Sequence, residues 1–450
     1  MKKSSPSVKA VICAAAIIVT TVTTAFAESQ FNPVVFVQDS LENGLHVIYQ
    51  VDRTAPVVAT VIQYRVGSRD ETVGRTGYAH FFEHLMFEAT DKIPRASIDK
   101  FTQEAGGELN AHTSFDETVF YFQLPANQVK FALWVESQRM RGLLFDTTGV
   151  ETQRRVVLEE QKERRDNSPY GTFLDKWFAN LFKSGTYHWT TLGSAEDIKS
   201  AKISDFKQFY DNFYQPNNAT LVIAGDIDID QVRSYVKAYF GSYPRSAEQV
   251  RAAVNIVPID KEYREQIVDE KAQLPGIFVA YLGPRLDDSS YFATTILTDI
   301  LASGESSRLY QRLVDKDQLA AQASAFPYSL EKSGIIGFYA IAAIDIKTVK
   351  LEKALFDELD KVVTKGITDE ELEKAKNIRE AGFVAGKKDA LDKAQSLASY
   401  YSYFRNANLI NTELDDFLKV TKEDVIKAAR KYLATDKRVI VTYLPKNYKD

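Results

Sequence analysis

Cysteine is almost missing from these 450 residues; the chain has one, Cys13. A single thiol forms no internal disulfide and builds no cysteine-ligated metal site. Histidine is scarce too, at five residues, so any close pairing of histidines carries information. Glycine (21) and proline (13) are too few for a collagenous or low-complexity chain. Basic residues do not dominate: 56 Lys+Arg against 61 Asp+Glu give a formal net charge of −5, which opposes nucleic-acid binding. Beyond residue 27 there is no run of about 18 apolar residues, so no membrane span is expected. What remains is an ordinary globular composition, 45% hydrophobic and 26% charged. Its length suits about two to three domains.

The one long apolar stretch lies at the start. Lys2, Lys3 and Lys9 lead into AVICAAAIIVTTVTTAFA, and Ala25-Phe26-Ala27 is a small-x-small cleavage pattern. Together these predict a secretory signal peptide over residues 1–27, too short and wrongly flanked for an anchor. Cys13 precedes most of the apolar run, so it does not fit a lipoprotein attachment site, and it leaves with the leader. Cleavage removes three lysines and no acids, taking the net charge from −5 to −8. The mature chain is then a cysteine-free exported protein, periplasmic or secreted, that folds on its core alone.

Two blocks of sequence repeat. ISDFKQFYDNFYQPNNATLVIAGDID and TKEDVIKAARKYLATDKRVIVTYLPK each open with a helix-start signal. Each continues as an amphipathic helix, a polar turn and an apolar strand. Leu221 and Val439 begin those strands, an offset of 218; the same offset sets TTGVETQRRV from Thr147 opposite KGITDEELEK from Lys365. The pattern predicts an α+β protein of two similar domains in tandem, 28–240 and 266–450, joined by a linker over 241–265. Within the first half, β-rich and helical runs alternate, as in GLHVIYQVD, VVATVIQYRVG and IPRASIDKFTQEAGG. Each domain is expected to be a largely antiparallel sheet with helices packed on one side.

The chemistry concentrates in GYAHFFEHLMFEAT, Gly77 to Thr90. His80 and His84 are i and i+4, on one helix face a turn apart, where two imidazoles reach a single zinc ion. Glu83, one position before the second histidine, is placed to take a proton from water that the metal activates. The plain alternative is a core helix with two buried histidines. Burying three ionisable groups on one apolar helix is costly without a partner charge, and five histidines make the spacing improbable by chance.

The segment VGSRDETVGRTGYAHFFEHLMFEAT resembles the pitrilysin-like zinc metallopeptidases, the family of insulysin and the mitochondrial processing peptidase. Their inverted zinc motif is His-x-x-Glu-His, and the resemblance covers nearly all of the mature chain. It implies one zinc ion per chain, with His80 and His84 as ligands and Glu83 as base. It implies a third ligand, a glutamate on a helix roughly 75 residues downstream. Glu160, in ETQRRVVLEEQKERRD, lies 76 residues after His84 and matches it. Glu159 is its neighbour, but successive helix residues point about 100° apart, so both cannot face the metal. Family members often carry a second acid seven positions before the ligand; here that residue is Gln153. LNAHTSFDETVFY resembles the strand that holds substrate, with Asn110 and Ala111 matching its peptide-contacting positions; His46, His112 and His188 are read as non-ligands.

The second half departs from the pattern. SSRLYQRLVDKDQLAAQASAF is similar to the family segment that supplies an Arg and, seven residues on, a Tyr to clamp the substrate carbonyl. In register these positions hold Val314 and Ala321. Two-chain members of the family split the work, one subunit bearing zinc and the other the Arg/Tyr pair. The resemblance therefore implies a zinc endopeptidase of short or unfolded peptides, paired with a homologous subunit. Two alternatives stand beside it: a structural or binding subunit that has lost catalysis, and a processing peptidase dedicated to one precursor. The complete set His80, Glu83, His84 and Glu160 favours catalysis.

Overall fold

Near-continuous apolar runs such as ATLVIAG and GIFVAYL build the inner strands of two sheets and are buried on both faces. The computed structural model describes residues 32–247, 251, 254 and 256–449. The signal peptide and Cys13 lie outside the described residues. The first half contributes β1 (Val37–Ser40), β2 (His46–Val51), β3 (Val57–Tyr64), β4 (Glu108–Thr113), β5 (Thr118–Pro125), β6 (Phe182–Ser184) and β7 (Ala219–Gly225). The second contributes β8 (Val257–Pro258), β9 (Tyr263–Asp269), β10 (Gly276–Leu282), β11 (Ala320–Ser329), β12 (Gly334–Ala342) and β13 (Arg438–Pro445). One sheet runs β1-β2-β7-β3-β5-β4 and the other β11-β12-β10-β13-β9, while β6 and β8 form a small separate ribbon. β9 begins at Tyr263, inside the stretch read as linker.

The two sheets have the same connectivity. In each, the first repeat strand pairs parallel with the last (β2 with β7, β9 with β13), and the remaining pairs are antiparallel. The register repeats as well: Leu221 lies opposite Ile62, and Val439 opposite Ala280, both pairs 218 residues apart. The structure is thus α+β, with a largely antiparallel sheet in each half.

Side chains one apart on a strand face opposite sides. On the first sheet, Val47, Tyr49, Ile62, Leu221 and Ile223 pack with that half's own helices. Their neighbours Ile48, Val61, Val222 and Ala224 pack instead against Ala390, Ala394, Leu397 and Ala398 of the helix Ala390–Phe404, from the second half. The exchange is mutual. Phe278, Ala280, Val439 and Val441 of the second sheet pack against Trp177, Phe178 and Leu181 of the helix Phe173–Leu181, from the first half. Apart from these exchanged helices, each half's helices pack on one side of its sheet, and the other side is covered by the opposite half. From Val34 onwards the chain accordingly forms one compact unit. Among the described residues, no helix is long and apolar enough to cross a membrane.

Candidate metal centre

The motif helix, Tyr78–Leu85, is apolar on the side that meets the core. Ala79, Phe81, Phe82 and Leu85 are buried, and Phe82 lies beside Tyr210 and Tyr214. Its N-cap is Gly77, at φ +82°, which has no side chain to accept the first N–H groups. Glu71 takes over that task. Its carboxylate accepts from the Gly77 and Ala79 amides at 2.9 and 2.7 Å and from the Trp189 indole at 2.9 Å. Burial pushes the Glu71 carboxyl well up, opposed by those three donors. Gly77 is required sterically, since a Cβ there would meet the Leu192 carbonyl at 2.7 Å.

The second helix, Thr147–Gln161, is capped by Asp146, which accepts from the Gly149 amide at 2.8 Å. It buries Val150 and Val157. Gln161 donates to the carbonyls of Leu192 and Gly193 at 3.1 and 2.9 Å. The loop at Leu192 and Gly193 therefore touches both helices and sets their spacing.

This packing brings His80, His84 and Glu160 together. Their ligand atoms all lie within 4.8 Å of one another. Glu160 Oε2 is 3.1 Å from His84 Nε2 and 3.6 Å from His80 Nε2. The imidazole centroids are 4.9 Å apart with the rings nearly perpendicular, at 88°. Hydrogen bonds from His80 and His84 hold the Glu160 carboxyl far below the usual carboxylate range, against burial. Arg164 pairs with its other oxygen at 2.8 Å. Two imidazole nitrogens and a carboxylate match the donor set of catalytic zinc sites, which keep a fourth position for water or substrate. Glu159 points away, to Lys162 at 3.0 Å, in solvent.

Glu83 is half-buried beside the histidines and accepts from Thr113 Oγ1 at 2.6 Å. Thr113 ends β4, the edge strand of the first sheet. By strand alternation Ala111 shares the face of Thr113, whereas Asn110 and His112 face the other way. Asn110 accepts from the Ala111 amide through Oδ1 at 2.8 Å. His112 approaches Glu117 at 3.9 Å, which raises its pKa. His46 stacks on Tyr401, with ring centroids 3.4 Å apart, and burial lowers its pKa to about 4. His188 bonds the Phe182 carbonyl at 2.7 Å. Gln153 donates to Glu88 at 2.8 Å, so its amide suits a neighbour that a second carboxylate would repel.

The topologically equivalent helices of the second half, Tyr291–Ala302 and Asp369–Ala385, hold no such cluster. Arg379 clasps the buried Asp299 by donating from Nε and Nη2, each at 2.5 Å. Val314 packs against the second core, and Ala321 is exposed on edge strand β11. Nearby Arg308 and Arg312 are engaged by Glu371 and Asp317. Sequence reasoning did not find Glu71 or Thr113. A helix that starts on glycine calls for a foreign acceptor without saying which residue supplies it, whereas period two sets Thr113 on the Ala111 face, a signal the sequence does carry.

Two family models match the chain. Residues 46–194 match "Insulinase (Peptidase family M16)" and residues 200–379 match "Peptidase M16 inactive domain". The chain is 29% identical over 413 residues to the zinc protease PqqE of Helicobacter pylori, covering 90% of this chain and 92% of that one. It is 28% identical over 314 residues to the probable mitochondrial-processing peptidase subunit beta of Schizosaccharomyces pombe, covering 67% and 68%. The crystal structure of a protease from Helicobacter pylori superposes with a TM-score of 0.87 at 28% identity, covering 92% of this chain and all (100%) of that one. The first half of the Escherichia coli periplasmic protease PqqL shares the fold, with a TM-score of 0.75 at 20% identity and 92% of each chain covered.

Proposed function

The chain belongs to peptidase family M16, the pitrilysin-like zinc proteases, and from that premise we propose a zinc-dependent endopeptidase of the inverted His-x-x-Glu-His type. His80, His84 and Glu160 hold the metal and Glu83 is the general base. The observation that carries this reading is the convergence of two imidazoles and one carboxylate, with a second carboxylate a single residue from one of the ligands. Zinc, when bound, activates water as a nucleophile and polarises the scissile carbonyl. Thr113 engages Glu83 at Oε2, leaving Oε1 to receive the proton of the attacking water and pass it to the departing amine. The peptide adds as an extended strand to the open edge of β4, contacting Asn110 and Ala111. Asn110 must then release the Ala111 amide to the substrate. Main-chain bonding of this kind selects extended, unfolded or short peptides and discriminates little among their side chains.

The second half supplies no clamp at Val314 and Ala321. In this reading a homologous subunit contributes an Arg and a Tyr there, and the active site lies between the two chains. The leader over 1–27 places the pair in the periplasm or outside the cell. The test is purification of the mature protein from its own source. A second chain of similar length with Arg and Tyr at those positions is expected, with peptide hydrolysis abolished by chelation and restored by zinc. Hydrolysis at full rate by the isolated chain contradicts the two-chain arrangement, and hydrolysis indifferent to chelation contradicts the metal.

A further inference from the structure

We infer that Thr113 is the positioning residue for Glu83, so that the strand taking up the peptide also aims the base. The inference rests on the function proposed above and concerns how that site is held.

An ionised Glu83 can only accept, so Thr113 Oγ1–H is the donor. At 2.6 Å the contact falls in the range of charge-assisted O–H···O⁻ bonds. Thr113 is well fixed. It pairs with Thr118 at the last rung of the β4–β5 ladder. The turn beyond is closed by the Ser114 amide on the Glu117 carbonyl at 2.8 Å. Thr118 in turn donates to the Val66 carbonyl at 2.9 Å. A β-branched residue on such a rung has a restricted χ1. Glu83, by contrast, has three side-chain torsions and sits on the partly exposed edge of its helix. His112 also lies near enough to Glu83 to feel its charge, but it is 3.9 Å from Glu117 and makes no hydrogen bond to Glu83. Thr113 therefore decides which way the carboxylate points.

The arrangement has a functional consequence. A peptide on the edge of β4 is placed in register with Ala111, two residues from Thr113. The strand that registers the peptide then also fixes the orientation of the carboxylate that the motif helix presents to it. Precision at this level matters, because a displacement of about 1 Å can cost about a hundredfold in rate.

The test compares Thr113→Val and Thr113→Ser with wild type, each as the full mature chain with its co-purified partner. Thr113→Val keeps the shape and removes the donor; Thr113→Ser restores the hydroxyl. The expected result for Thr113→Val is unchanged zinc content, an unchanged KM and a kcat lower by about tenfold to a hundredfold. Thr113→Ser should recover most of that loss. Crystal structures of the zinc-loaded chains should show the Glu83 carboxylate rotated in Thr113→Val and restored in Thr113→Ser. A Thr113→Val enzyme with wild-type kcat, or a Glu83 carboxylate that does not move, overturns the inference. If wild type hydrolyses no peptide even with its partner, the functional proposal fails, while the crystallographic comparison still decides the positioning claim.

Discussion

Glu160 faces both histidines with one oxygen and pairs with Arg164 through the other. Of the three proposed ligands it alone brings negative charge, which favours a divalent cation. Glu160→Gln should therefore weaken zinc binding by more than the 10- to 100-fold (about) typical of losing an outer partner. Competition with a chromophoric chelator measures this, and Glu159→Gln, altered on the solvent side, should leave affinity unchanged. His84→Ala should retain no zinc on purification; a zinc content equal to wild type would remove His84 from the ligand set. In the sequence, the distance from His84 and the family resemblance point to Glu160, with Glu159 beside it carrying the same charge. The helix phase separates them: one faces Lys162 in solvent, the other the two imidazoles.

At the scale of elements, the motif helix stands on Glu71. Glu71→Ala would leave the Gly77 and Ala79 amides and the Trp189 indole without their acceptor. Each buried orphan costs about 1–3 kcal/mol, so the variant should unfold several degrees lower in a thermal melt and bind zinc more weakly. A melt and an affinity both unchanged would show that the cap is dispensable. The i, i+4 histidines and the period-two strands were legible in sequence because they are local patterns. Glu71 was not, because its partners lie both six to eight residues ahead and, at Trp189, 118 residues away in the chain. The repeat was legible for a third reason: helix–turn–strand units keep their spacing when their residues diverge. Its limit is visible in Asp299 and Arg379, where an ion pair holds the second pair of helices and the metal cluster has no counterpart.

Across the whole molecule, the halves are bound by exchange of helices and by a buried ion network. Glu331, in the β11–β12 turn, meets Arg65, Arg69 and Arg251 at 3.2, 2.9 and 2.8 Å. Arg69 and Arg251 also pair with Asp116 and Asp70. Burial pushes the Glu331 carboxyl up, but Arg251, Arg69 and Arg65 outweigh it and hold it at about 2. A carboxyl lowered on folding stabilises the protein above its unfolded pKa and loses that contribution as pH falls towards the folded one. Stability should thus decline between the ordinary glutamate value of 4.5 and about 2, and Glu331→Gln should flatten that part of the curve. A wild-type curve already flat over this range contradicts the assignment. The helix exchange predicts a second outcome. Residues 28–240 expressed alone leave Ile48, Val61, Val222 and Ala224 uncovered, so this half should aggregate, and co-expression with the rest of the chain should keep it soluble. A soluble, cooperatively folding first half would contradict it. Neither exchange was legible in sequence, where both faces of a buried strand read as one apolar run.

The central claim is that Glu83 moves a proton at a metal held by its neighbours. Its most direct measurement is zinc content and peptide hydrolysis of Glu83→Gln beside wild type, each with the co-purified partner. Equal zinc in both is expected, with hydrolysis lowered by about 100-fold or more in the variant. Hydrolysis at the wild-type rate with zinc still bound would contradict it.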